Sequence, residues 1–147
     1  MEIPEYVSKS EVQRVCQQLE IRDWSQLKSA SVELREAEII RREVGGEALE
    51  ISAENYRAGL QVELEHGVAF PDANVTNNHP ILTGKIVLAH LKETLDYYQR
   101  LDIAEIEGDI FKALLSGNFE KLADKQKKLI AARAVMSELE QHQLAHI

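Results

Sequence analysis

Apolar residues recur every three or four positions along much of this chain, and that spacing places them on one side of an α-helix. One such stripe consists of Val12, Val15, Cys16 and Leu19. Leu, Ala, Glu, Lys and Gln favour helix and dominate the composition, whereas aromatic residues make up 5% of it. The sequence therefore predicts an all-α protein, with Cys16 as a buried thiol and not a nucleophile.

Capping and stop signals divide the chain into about five to six helices. We expect helices over about 8–19, 32–44, 52–67 and 80–101, a further apolar stripe over 103–114, and a last helix after Asn118. Ser8, Ser52 and Asn118 have the positions of N-caps, and Pro80 suits the first turn of a helix. With 147 residues the chain can bury a core. We therefore expect a single-domain helical bundle over residues 1–147.

The charge of the chain limits the partners it can bind. A net charge of −8 argues against a general affinity for nucleic acid or for anionic membranes, because both require a basic surface. The amino-terminal segment MEIPEYVSKSE contains acidic residues and no apolar core, so it is unlike a secretory signal. No stretch approaches the roughly 20 apolar residues of a membrane span. From these features we expect a cytoplasmic protein.

Two pairs of Glu and His stand three residues apart on two neighbouring predicted helices. Glu63 and His66 form the first pair, and His90 and Glu93 form the second. On a helical wheel all four fall within or beside the apolar arc, so we expect them to face the core. Two antiparallel helices would bring the pairs together. Two imidazoles and two carboxylates form a ligand set suited to Zn, Mn or Fe.

Three interpretations of this Glu and His cluster are open. In the favoured one the side chains hydrogen-bond each other and bind nothing. Glu63 then faces His90, and Glu93 faces His66. The second interpretation is a metal site formed by all four residues. The third is acid and base catalysis without a metal, which ranks below the other two; no catalytic residue is assigned, and we expect a protein that is not an enzyme.

The segment from Val68 to His79 has no regular pattern and is expected to form a loop. Its Asn and Thr side chains can hydrogen-bond neighbouring backbone and hold the loop across the helix ends. His79 stands directly before Pro80. That position fits a cap or a turn better than an additional metal ligand.

Three segments resemble a family of small bacterial and phage proteins that is known only as a domain of unknown function. They are GLQVELEHG at 59–67, NVTNNHPILTGKIVLAHL at 74–91 and DYYQRL at 96–101. The resemblance implies a shared core over about 52–101 that contains Glu63, Glu65, His66, His90 and Glu93. It also implies that residues 1–50 and 102–147 are helical extensions particular to this protein. It supplies no activity.

Two classes of function follow. The first is a helical interaction or assembly module, phage- or prophage-associated, whose terminal helices bind a protein partner or another copy of the chain. The last helix favours this class because its apolar residues have near-heptad spacing. They are Leu122, Leu129, Ala132, Met136 and Leu139. The alternative is a metal- or small-ligand-binding protein that uses the Glu and His cluster.

Overall fold

The computed structural model describes residues 7–145, and within them the chain is helical, with no strand. The α-helices are α1 (Lys9–Gln18), α2 (Leu34–Val44), α3 (Ala53–Ala69), α4 (Pro80–Glu93), α5 (Tyr97–Leu115) and α6 (Phe119–Leu144). Short 3-10 helices span Trp24–Gln26, Gly46–Glu50 and Pro71–Ala73. The all-α prediction is confirmed. No helix in the described range has the length and apolar character that crossing a membrane would require.

The contacts divide the chain into two compact units, one ending at Glu93 and the other beginning at Thr94. The first unit contains α1 to α4, and the second contains α5 and α6. The expected core at 52–101 with two helical extensions stays a prediction, as does the single domain over 1–147.

Helix starts lie where the sequence predicts them, because each cap is a local interaction. The Ser8 hydroxyl accepts a hydrogen bond from the backbone N–H of Glu11 at 3.2 Å, and the Ser52 hydroxyl accepts one from Asn55 at 3.2 Å. The Asn118 side chain accepts one from the N–H of Lys121 at 2.9 Å. Each bond satisfies an N–H group that has no partner inside its own helix.

The expected helix over 80–101 is wrong, because α4 ends at Glu93. After a short break α5 begins at Tyr97 and continues through Asp102. At the break the Thr94 hydroxyl donates to the Asp96 carboxylate, which also accepts two bonds from Arg100, at 3.0 and 2.9 Å. Side-chain bonds of this kind compete with the regular helix, so the chain turns although the apolar pattern continues.

In the first unit, α2, α3 and α4 pack closely around buried aromatic and aliphatic side chains. The Tyr56 hydroxyl donates to the backbone carbonyl of Gly84 at 2.7 Å. A Cβ at Gly84 would come within 2.8 Å of a methyl group of Ile40 and 2.9 Å of the Tyr56 hydroxyl. Gly84 therefore permits a separation between helices that a larger residue would prevent. Cys16 is buried as expected, and burial raises the pKa of its thiol.

Glu36 on α2 was not predicted to be buried, yet its residue exposure is 2%. Its carboxylate accepts from Arg22 at 2.9 and 2.5 Å and from the indole N–H of Trp24 at 3.3 Å. It also accepts from the backbone N–H of Glu33 at 3.0 Å. Burial is the largest single influence and raises the pKa of Glu36. The hydrogen bonds from Arg22, Trp24 and the Glu33 backbone, together with the charge of Arg22, outweigh it and hold the pKa below its ordinary value.

In the second unit, α5 and α6 form a helical hairpin. Leu129 and Met136 of α6 are buried, and Leu122, Ala132 and Leu139 are partly buried. These are the near-heptad residues from which binding of a protein partner or of another copy through α6 was expected. Because α6 packs against α5, they line an interface within one chain.

Candidate functional site

The fold brings three of the four predicted site residues together. One carboxylate oxygen of Glu63 lies 3.5 Å from Nε2 of His90, and the other lies 3.9 Å from Nδ1 of His66. The Glu63 side chain is 13% exposed, whereas those of His90 and His66 are 30% and 58% exposed. The expected pairing of Glu63 with His90 is therefore present, and His66 lies on the surface beside it.

Glu93 does not join this cluster. It is the last residue of α4 and is exposed, so the expectations that it faces the core and that it faces His66 are wrong. Glu63 and His66 of α3 and Ile86 of α4 line a groove of about 210 Å³.

The Glu63 carboxylate of α3 contacts His90 of α4 and so links the two helices. At 3.5 and 3.9 Å the contacts are longer than a good hydrogen bond. Within residues 7–145, no three or more His, Cys, Asp or Glu side chains are grouped so that they could hold a metal ion. A Zn, Mn or Fe site formed by all four residues stays a prediction.

The predicted loop is held across the helix ends by asparagine side chains, as expected. We call residues 74–78 the asparagine loop. Asn74 donates to the backbone carbonyl of Gly67 at 3.1 Å and to the side-chain oxygen of Asn78 at 2.8 Å. Asn77 donates to the carbonyl of Val7 at 2.5 Å. A Cβ at position 67 would lie 2.0 Å from the Asn78 side-chain oxygen, so this packing requires glycine there.

His79 caps α4, which agrees with the cap interpretation. Its Nδ1 accepts from the backbone N–H groups of Ile81 and Leu82 at 3.2 and 3.4 Å. Burial lowers the pKa of His79, which favours the neutral imidazole. A neutral ring can accept these bonds, whereas a protonated ring has only donors.

An apolar surface on α5 was missed in the sequence. Its six residues, which we call the outer stripe, are Tyr97, Leu101, Ala104, Gly108, Phe111 and Leu115. They lie on the side of α5 opposite the buried Ile106 and Ala113. Phe111 is 61% exposed and Leu115 is 72% exposed.

The alternating spacing of four and three residues was the signal that could have revealed the outer stripe. The sequence instead indicated one apolar face on this helix, which ended at Leu114. That residue is 55% exposed. An added Cβ at Gly108 would meet nothing within 4 Å, so the middle of the stripe is open.

A family model for proteins of unknown function, DUF5661, matches residues 12–107. The chain belongs to this family. The DUF5661 match includes all the segments on which the resemblance was based, and also α2 and most of α1. It ends within α5, so α6 lies outside it. No curated protein and no solved structure matches the chain.

Proposed function

We propose that this protein is an assembly module that binds a second copy of itself through the outer stripe of α5. The observation that carries the proposal is the exposure of Phe111 and Leu115 on a helix whose opposite side is already covered by α6. Large apolar side chains grouped on a surface are typical of interaction sites. A hairpin of two helices can cover only one side of each, so α5 has apolar surface left over.

The shape of the outer stripe favours a second copy as the occupant. Consider two α5 helices packed antiparallel about a two-fold axis at Gly108. Phe111 of one copy then lies beside Ala104 of the other, and Leu115 lies beside Leu101. Phe111 thus meets a small residue, Leu115 meets another leucine, and the open backbone at Gly108 permits close approach at the axis. The spacing of the stripe is that of helices packed side by side.

Charges along one flank of the stripe match the same geometry. Glu105 and Lys112 lie on the same side of the stripe, and about a two-fold axis at Gly108 the Glu105 of each copy faces the Lys112 of the other. Lys112 is 3.8 Å from Asp109 of its own helix, with its side chain 75% exposed, so it is accessible to a second copy. On the other flank, Glu107 is already paired with Arg133 at 2.6 Å.

The charge of the second unit also favours association between copies. Residues 94–147 contain nine acidic and seven basic side chains, whereas acidic residues exceed basic ones by 25 to 17 in the whole chain. Most of the net negative charge therefore belongs to the first unit. Repulsion between two hairpins is small compared with repulsion between two first units.

Light scattering over a range of protein concentrations tests the proposal. We expect a dimer for the wild type and a weaker dimer for Phe111→Ser and for Leu115→Ser. Leu144→Ser is the matched control, because Leu144 is 68% exposed but lies on α6. It should associate as the wild type does. A monomeric wild type, or equal weakening by Leu144→Ser, would contradict the proposal.

Cysteine cross-linking tests the antiparallel register. Gly108→Cys should form a disulfide-linked dimer on oxidation, because the axis places the two positions together. Ala104→Cys should not, since two copies of that position would be about 12 Å apart along the helices, beyond the reach of a disulfide. A parallel pair would cross-link at both positions and would refute the register. The phage or prophage association implied by the resemblance stays a prediction.

A further inference from the structure

We propose that a cavity in the first unit binds a small organic anion through Lys9 and Lys28. The cavity has a volume of about 300 Å³. The start of α1, the segment after the 3-10 helix at Trp24–Gln26, the end of α3 and the asparagine loop surround it. Neither the Glu and His cluster nor the outer stripe contributes to its lining, so this site is independent of the proposed assembly.

The walls of the cavity are held in place by the asparagine loop. Asn77 is bonded to Val7 before α1, and Asn78 donates to the carbonyl of Trp24 at 3.5 Å. Asn74 is bonded to Gly67 at the end of α3. The loop is thus tied to each of the other segments. A site whose walls are fixed before binding loses less conformational entropy when a ligand enters.

The backbone of the loop supports a specific shape. Asn77 and Asn78 both have positive φ, 48° and 61°, a region that side-chain-bearing residues seldom adopt. Asn is the residue that tolerates this conformation best after Gly. The two successive residues turn the chain so that both line the cavity. Asn78 is only 8% exposed, so its position is fixed by packing.

The side chains that line the cavity have a net positive charge, although the net charge of the whole chain is negative. Lys9 and Lys28 both line it, and no Asp or Glu of the described residues does. Neither lysine takes part in an ion pair within residues 7–145. Two lysines on the lining of one concave surface attract an anion.

The remaining lining indicates an organic anion of modest size. Polar side chains of the asparagine loop line one part of the cavity, whereas Leu27, Val68 and Pro71 supply apolar surface. A volume of about 300 Å³ is at the lower end of the range for ligand pockets. A phosphate or carboxylate group on a small carbon skeleton meets these conditions, because its charge would contact the lysines and its skeleton the apolar side chains.

Titration of the ¹⁵N-labelled full chain with inorganic phosphate, at constant ionic strength, tests this proposal by NMR. We expect saturable shifts of backbone amide signals at Ser25, Lys28, Asn77 and Asn78. In the double variant Lys9→Gln/Lys28→Gln the affinity should fall at least tenfold. The spectrum outside the cavity should stay unchanged, which shows that the variant folds.

The double variant Lys85→Gln/Lys92→Gln is the matched control. It removes the same charge from the first unit, and both lysines are exposed on α4, away from the cavity. It should bind phosphate as the wild type does. Absence of saturable shifts would overturn the proposal. Equal loss of affinity in the two double variants would also overturn it, because it would mean an adventitious ion attracted by net charge.

Discussion

The first unit places a carboxylate inside its core, whereas the second leaves aromatic and aliphatic side chains at its surface. Glu36 is 2% exposed, and Phe111 is 61% exposed. Burying a charge is costly, and the first unit offsets the cost with Arg22, Trp24 and backbone donors around the same carboxylate. The second unit has no comparable means of covering the outer stripe within residues 94–145.

The difference follows from the number of helices in each unit. The first unit packs four helices around its buried groups. The second has two, and each covers only one side of the other. Substitutions in the first unit should therefore change mainly the stability of the chain. Substitutions on the outer stripe should change mainly its association.

Loss of the buried carboxylate is the largest effect that we expect. Glu36→Ala leaves the donors of Arg22 and Trp24 without their acceptor. Since the Arg22 side chain is 37% exposed and partly reached by water, the free energy of unfolding should fall by about 3 kcal/mol and not by the full cost of a buried pair. Urea unfolding measures this change.

The control for Glu36→Ala is Glu43→Ala, the same substitution at an exposed position of α2. It should alter the free energy of unfolding by less than about 0.5 kcal/mol. Equal effects from the two variants would mean that the carboxylate of Glu36 contributes little to the stability of the first unit.

Replacing a glycine with alanine should change the stability of the chain in opposite directions in the two units. In Gly84→Ala the new methyl group would come within 2.8 Å of Ile40, so overpacking should destabilise the chain by about 1–3 kcal/mol. In Gly108→Ala the methyl group meets nothing within 4 Å. At concentrations where the chain is monomeric, this variant should be more stable by about 0.5–1 kcal/mol, because alanine favours helix.

Urea unfolding of both glycine variants at low protein concentration measures these changes. Light scattering then separates the two roles of position 108, since a methyl group at the proposed axis should weaken the dimer while it stabilises the monomer. Destabilisation of the monomer by Gly108→Ala would show that the middle of the outer stripe is not open.

The smallest effect that we expect concerns the cap of α4 and its dependence on pH. Burial lowers the pKa of His79 below its unfolded value, so the stabilisation by this cap is complete above an ordinary histidine pKa of about 6.5. It is lost as the pH falls through the lower value of the folded protein. The loss should be about 1 kcal/mol, the typical contribution of an N-cap.

Melting temperatures between pH 7.5 and 5 test this prediction. His79→Asn keeps an acceptor that does not titrate, so its melting temperature should fall less than that of the wild type. His79→Ala lacks the cap at every pH and should be less stable than the wild type at neutral pH. If His79→Ala matches the wild type there, the imidazole does not stabilise α4.

The features that were predicted correctly from the sequence are the local ones, such as helix caps. Ser8, Ser52 and Asn118 were recognised as caps because each bonds a backbone group three residues away. The break at Thr94 was not predicted, because it depends on side-chain bonds between Asp96 and Arg100, which an apolar pattern does not reveal.

The same distinction applies to the candidate sites: features that depend on the detailed packing between helices were not predicted. The helical wheel predicted that Glu63 and His90 meet, but the position of Glu93 depends on how α3 and α4 pack against each other, which the sequence does not specify. Glu36 was missed because its partners Arg22 and Trp24 lie 14 and 12 residues before it, in the segment between α1 and α2. For α5, both apolar faces are visible in the sequence, yet nothing there indicates which one α6 covers.

Cys16 makes the opening of the first unit measurable without any added probe. It is the only cysteine of the chain, its residue exposure is 1%, and burial raises the pKa of its thiol. A thiol reagent therefore reacts only with molecules in which α1 has left the core, and the rate of labelling reports how often that happens. Comparing this rate with global unfolding in urea would reveal whether α1 detaches alone or only when the whole unit unfolds.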